Sequence, residues 1–197
     1  DNWCLTEAIK NADNSNLFIR CVFRSILHAS HKDKAFWEHY DERKKLIHLL
    51  GNPDAEVADY CAMVKRKGED VLYYLTDASK AERNLIFENL DAYSEKIGRK
   101  NVEKILRHIY PGLYAYLQPY RFNIQLLDSY FQEYKYQKVV NKVFPDFMQL
   151  VEEQAEKREF NLLLPARSEK LDAIPKNDTL VYFVDAMGVE YLSYIMD

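Results

Sequence analysis

The chain has 197 residues, of which 48% are hydrophobic and 29% are charged, and this is enough apolar sequence to bury a core of ordinary size. Its net charge of −4 gives no general attraction to nucleic acid or to acidic membranes, although a local basic patch is compatible with it. The 3 cysteines include no CxxC pair, so they indicate neither a disulfide framework nor a zinc ribbon and favour a reducing cytoplasm.

Most of the chain shows the spacing of three and four residues between apolar positions that is typical of amphipathic helices. The interpretation is a mainly α, multi-helix domain. Helices are predicted in two pieces over 2–30 and then over 34–50, 53–67, 80–97 and 100–110, with two short helices over 113–136 and a helix interrupted near Pro145 over 136–160.

The clearest helix start is the capping box formed by Ser79 and Glu82. It is followed by an apolar stripe at helical spacing, and Gly98 marks the end of the helix. The stripe consists of Leu85, Ile86, Leu90, Tyr93 and Ile97.

The last part of the chain has a different pattern. Residues Leu180–Val184 form an unbroken apolar run rich in β-branched and aromatic side chains, which predicts a strand buried on both faces of a parallel sheet. Asp185 follows directly, and helical spacing resumes at Val189. We therefore predict a helical domain over 1–160, a linker over 161–178 and the beginning of an α/β domain over 179–197.

Asp185 is the first candidate site residue, because ligands of open α/β sheets collect at the carboxyl ends of strands. A carboxylate there can hold a hard divalent cation. The alternative is that Asp185 only caps the following helix. A GxGxxG turn and a GxxxxGK loop are both absent, and Met187 occupies the position where a haloacid-dehalogenase-like site would carry a second aspartate.

The segments Asn161–Ile174 and Val181–Leu192 resemble the opening of a PglZ domain. PglZ proteins belong to the alkaline phosphatase superfamily and occur in bacterial BREX phage-defence systems. The resemblance implies that Asp185 corresponds to the metal ligand on the first strand of that superfamily, which helps to hold a pair of divalent metals, usually zinc. It also implies a cytoplasmic protein whose partners are other phage-defence proteins.

The family needs a Ser or Thr nucleophile and further Asp and His ligands from later strands, which do not follow here. The chain is therefore expected to be an amino-terminal fragment of a metal-dependent phosphatase or phosphodiesterase, inactive alone and without a tightly bound metal. Its helical body would serve scaffolding or partner binding. Two alternatives stay open, a non-enzymatic helical interaction module and part of a metal-dependent nuclease.

Other polar clusters give weaker signals. His28 and His31, with Glu38 and His39 downstream, include imidazoles three residues apart, but the HExxH pattern is missing and the segment is typical of a helix end. Glu190, on the helix predicted after Asp185, is a second candidate metal ligand, but a surface helix residue is the better explanation of it.

The 15 tyrosines raise the question of a stacking surface for nucleic acid or of a partner interface. Arg121, Lys135 and Lys138 lie among them in the sequence. Packing in the core or in an interface is favoured over nucleic-acid binding, because no basic stripe is evident. Nucleic-acid binding and a homo-oligomer both stay open as alternatives. No apolar run of about 18 residues is present, so no membrane association is predicted.

Overall fold

The computed structural model describes residues 2–51, 53–119, 122–164, 166–175, 177–183 and 187–196. Helices form most of this part of the chain, so the predicted mainly α class is confirmed. The α-helices are α1 Trp3–Lys10, α2 Ser15–Arg24, α3 Phe36–Leu50, α4 Asp54–Lys65, α5 Lys80–Ile97, α6 Arg99–Ile109, α7 Pro111–Leu117, α8 Gln125–Val140, α9 Pro145–Lys157, α10 Glu159–Leu163, α11 Arg167–Asp172 and α12 Leu192–Met196. Three 3-10 helices cover Ser25–His28, Gly68–Tyr74 and Val189–Tyr191.

Short polar side chains begin several of these helices. The side-chain oxygens of Asn2 and Asn14 accept the backbone N–H groups of Leu5 and Leu17 at 2.8 and 2.9 Å. Ser79 caps α5 as predicted, since its Oγ accepts the N–H of Glu82 at 3.2 Å. Unpaired N–H groups at the first turns are thereby satisfied.

The described residues form two compact units, Asp1–Tyr114 and Ala115–Asp197. The first unit holds α1 to α6 around an apolar core, and the stripe predicted on α5 is buried at Leu85, Ile86, Leu90 and Tyr93. The linker predicted over 161–178 falls within the second unit, and it stays a prediction.

In the second unit, α8 is a helix of 16 residues, longer than the short helix predicted after Pro119. It ends at Asn141 in the left-handed conformation, with φ 51°. Gln137 then accepts the backbone N–H of Phe144 at 2.7 Å, which fixes the turn into α9. The side chains of Leu127 and Tyr136 are buried on α8.

The strand predicted over Leu180–Val184 is not observed in its described part. Residues Leu180–Phe183 lie in neither helix nor strand, and the side chains of Leu180, Tyr182 and Phe183 are 74%, 80% and 68% exposed. A strand needs a neighbour to pair its backbone N–H and C=O groups, and the described residues contain no other strand. The described residues therefore show the mainly α part of the predicted fold, and they do not show the predicted beginning of an α/β domain.

None of the helices that the structure describes combines the length and the apolarity needed to cross a membrane.

Candidate functional site

Asp185, the predicted metal ligand, lies outside the described residues, and so does Arg121. Glu190, the second candidate ligand, is described. It lies in the 3-10 helix Val189–Tyr191 and is 9% exposed. Its Oε1 accepts a hydrogen bond from Lys138 Nζ on α8 at 2.9 Å. The carboxylate is thus already engaged by a cation.

The charge on Glu190 is stabilised by this pair. Burial alone would raise the pKa of Glu190, but the hydrogen bond and charge of Lys138 outweigh it and the pKa is lowered. Its carboxylate also folds back over Gly188, where an added Cβ would overlap with Oε2. A side chain at position 188 would therefore displace the carboxylate from Lys138.

Lys135, one turn before Lys138 on α8, is a buried cation of the second unit, with 1% of its surface exposed. Its Nζ donates to the carbonyl oxygen of Gln118 and to Ser193 Oγ, the latter at 3.1 Å. Ser193 Oγ in turn donates to the carbonyl oxygen of Tyr116 at 3.2 Å. Burial lowers the pKa of Lys135 to about 8.

These contacts anchor the segment 187–196 to α8. Lys138 holds Glu190, Lys135 holds Ser193, and the rings of Tyr116 and Tyr191 lie 5.4 Å apart. The carbonyl oxygens of Tyr116 and Gln118 at the end of α7 have no partner within that helix, and they accept hydrogen bonds from Ser193 and Lys135. Lys135 and Lys138 therefore hold the segment 187–196 against α8.

The buried Lys135 predicts that stability rises with pH. Between its folded pKa of about 8 and the value of about 10.4 of a free lysine, the unfolded chain binds more protons than the folded chain, so the free energy of unfolding increases with pH. We expect a gain on the order of 1 kcal/mol between pH 7.5 and 9.5 relative to Lys135→Met. Urea unfolding followed by circular dichroism at both pH values measures it, and parallel pH dependence of the two proteins would contradict it.

The histidine cluster suggested by the sequence does not assemble. His31 stacks on Tyr73 with centroids 3.9 Å apart, and His39 stacks on Trp3 at 4.1 Å. Within the residues that the structure covers, no three His, Cys, Asp or Glu side chains are grouped so that they could hold a metal ion. Ring stacking, which the sequence could not indicate, accounts for the positions of these imidazoles.

The first unit contains a groove of about 380 Å³ that we name the α6 groove. Trp37 on α3 and Tyr73 on the 3-10 helix Gly68–Tyr74 form one part of its lining, and α6 forms another. Its lining residues are Trp37, Tyr73, Ile97, Asn101, Lys104, Ile105 and His108. None of these is acidic, and two are aromatic.

Each aromatic ring of the α6 groove is supported by a histidine. Trp37 stacks on His108 with centroids 4.1 Å apart and an interplanar angle of 18°. Tyr73 stacks on His31, while Trp37 and Tyr73 are 6.2 Å apart and tilted by 49°, so they do not stack on each other. The rings are thus held in place and both border the groove.

A second hollow of about 420 Å³ lies between α1 and α2 and includes Cys21. Its two arginines are already paired, Arg20 with Glu56 at 3.1 Å and Arg24 with Asp59. The Cys21 thiol donates to the carbonyl oxygen of Asn11 at 3.6 Å. Burial raises the pKa of Cys4, and it raises that of Cys61 to about 11, so those two thiols are poor nucleophiles.

The profile of a protein family described as "Domain of unknown function (DUF7863)" matches residues 1–93, somewhat less than half of the chain. This range includes Trp37 and Tyr73 of the α6 groove but ends before α6. No curated protein and no solved structure matches the chain.

Proposed function

We propose that the chain is the helical amino-terminal region of a PglZ-like metal-dependent phosphatase or phosphodiesterase that acts in bacterial phage defence, in the cytoplasm. The support comes from the residues of 161–174 and 181–192 that resemble a PglZ opening. In this proposal the helical body scaffolds the catalytic domain and binds other phage-defence proteins.

The observation that carries the proposal is the anchoring of residues 187–196 on α8. Lys138 donates a hydrogen bond to Glu190, and Lys135 donates one to Ser193. These two acceptors follow Asp185 by five and eight residues. A catalytic carboxylate has to be held within a fraction of an ångström, and it gains that precision from rigid supporting elements. The two lysines would supply such a support directly after Asp185.

In the complete site, Asp185 would contribute one carboxylate to a divalent metal, in keeping with the zinc of the superfamily. The described residues do not themselves form a metal site, and the carboxylate of Glu190 forms an ion pair with Lys138. The remaining ligands and the nucleophile would come from later strands of a longer protein. Residues 180–184 would become a strand when neighbouring strands pair with them, and the exposed side chains of Leu180 and Phe183 would then be covered.

The test is a comparison of the longer protein with its Asp185→Ala variant, in bound metal and in hydrolysis of phosphate mono- and diesters. We expect the variant to lose bound zinc and at least about 100-fold in activity, because a lost first ligand weakens both binding and positioning of the metal. Asp172→Ala, which removes an exposed carboxylate at the end of α11, is the matched control and should change neither.

The alternatives make different predictions in the same experiment. Unchanged metal and activity in Asp185→Ala, or no metal in either protein, would refute the assignment and favour a helical interaction module. Cleavage of DNA or RNA that is lost in Asp185→Ala would instead favour the metal-dependent nuclease.

A further inference from the structure

Helix α6 carries a basic face beside the α6 groove. The helix contains four lysine and arginine residues, one histidine and one acidic residue, Glu103. Lys100, Lys104 and Arg107 are exposed and follow one another at intervals of four and three residues, so they lie along one side of the helix. This is the basic stripe that the sequence did not reveal.

These cations are available to a ligand. Lys104 Nζ donates to Asn101 Oδ1 at 3.1 Å, and the described residues provide no ion pair for Lys100, Lys104 or Arg107. By contrast, Lys44 and Lys96 in the same unit are paired with Asp77 and Glu69. Glu103 is partly buried, and burial raises its pKa, while the charges of Lys100 and Arg99 act in the opposite direction.

We propose that the α6 groove and the basic face of α6 bind single-stranded nucleic acid. One base would lie in the groove against Trp37 and Tyr73, and the phosphates would follow Lys100, Lys104 and Arg107. Binding sites for single strands combine aromatic platforms with a cationic track in this way, because every base has a face that stacks and every nucleotide carries a phosphate. The inference does not depend on the phosphatase proposal.

The net charge of the chain indicates that any binding of a polyanion must come from a local site. With a net charge of −4, the chain has no overall attraction to polyanions. The lining of the groove includes the apolar side chains of Ile97 and Ile105 and no acidic residue. Such a lining fits a nucleic-acid base better than a cationic peptide. The two ring-supporting histidines each contact a carboxylate, His31 that of Asp70 at 3.7 Å and His108 that of Asp41 at 4.0 Å, but neither aspartate is among the lining residues of the groove.

The first experiment is fluorescence anisotropy of the 197-residue chain with fluorescein-labelled oligo(dT)15 and oligo(U)15 in low salt. We expect binding that Lys104→Glu weakens at least about five-fold, with a smaller salt dependence because a phosphate contact is lost. Lys80→Glu is the matched control, since Lys80 is an exposed residue at the start of α5 outside the groove and undergoes the same charge change. Its affinity should stay close to that of the wild type.

The second experiment tests stacking. Tyr73→Leu should weaken binding about five-fold or more, whereas Phe87→Leu, which alters a partly exposed ring outside the groove, should not. In a Trp3→Phe background, Trp37 is the remaining tryptophan of the chain, and its fluorescence should be quenched by the unlabelled oligonucleotide. Circular dichroism spectra verify that each variant is folded.

Several results would overturn the inference. These are no binding in low salt, equal weakening by Lys80→Glu and Lys104→Glu, or binding without a change in Trp37 fluorescence. A mononucleotide that binds as tightly as the oligonucleotide would also contradict it, because the basic face would then contribute nothing. Comparison of oligo(dT) with oligo(U) shows whether the site binds DNA, RNA or both, and binding of either supports the proposal.

Discussion

Replacement of Glu82 by alanine is expected to destabilise the first unit by about 3 kcal/mol. Glu82 is fully buried at the start of α5, and its Oε1 accepts both the backbone N–H and the hydroxyl of Thr76, at 3.1 and 3.0 Å. Its Oε2 accepts the hydroxyl of Ser79 at 2.9 Å. Truncation would leave buried donors of Thr76 without a partner, and such groups cost more than an average hydrogen bond contributes.

Urea unfolding followed by tryptophan fluorescence measures this effect, because Trp3 and Trp37 both lie in the first unit. Glu82→Gln keeps an acceptor for Thr76 and places an amide near Ser79, so its loss should be only about 1 kcal/mol. Glu88→Ala on the exposed side of α5 is the control and should change stability by less than about 0.5 kcal/mol. A loss in Glu82→Ala no larger than that of Glu88→Ala would refute the network.

The helices were predictable where local chemistry decides them. Ser79, three residues before Glu82, marks the start of α5, and the helix predicted over 100–110 is observed as α6. The sequence did not indicate that Glu82 also satisfies Thr76. That contact depends on how the chain turns back before α5, which a helical pattern does not encode.

Contacts between distant segments explain what the sequence left unpredicted. Lys135 was grouped with the tyrosines as a cation that could face nucleic acid, yet it is buried because Gln118 and Ser193, 17 and 58 residues away, offer it acceptors. The α6 groove was missed for the same reason, since Trp37 and Tyr73 come from other helices than Lys104. The predicted strand at 180–184 needs pairing partners that local sequence cannot specify.

Arg43 gives the second large expected effect. It is fully buried on α3, its Nε donates to the carbonyl oxygen of Phe23 at 2.9 Å, and its guanidinium carbon lies 4.5 Å from the centre of the Tyr60 ring. Its two terminal nitrogens are buried without a hydrogen-bond partner among the residues described. We expect Arg43→Ala to cost about 3 kcal/mol, because it opens a cavity and removes the bond to Phe23.

Arg43→Met separates packing from charge. Methionine fills much of the same space and removes the two unpaired buried NH2 groups, so its cost should stay within about 1 kcal/mol of the wild type. Equal losses in the methionine and alanine variants, measured by urea unfolding, would show that the guanidinium itself stabilises the core, through its charge and its hydrogen bond to Phe23. In that case the interpretation of Arg43 as a packing residue would be wrong.

Arg43 and Glu82 are two buried residues of opposite charge in the first unit. Burial raises the pKa of Tyr60, while the charge of Arg43 lowers it and that of Glu82 raises it, so both charges act on the same buried ring. The same two residues act in opposite directions on the pKa of Tyr40. In low dielectric each charge is least costly when the other is present. The double variant Arg43→Met with Glu82→Gln should therefore lose about 1 kcal/mol less than the sum of the single variants, whereas strict additivity would mean that the two charges are independent.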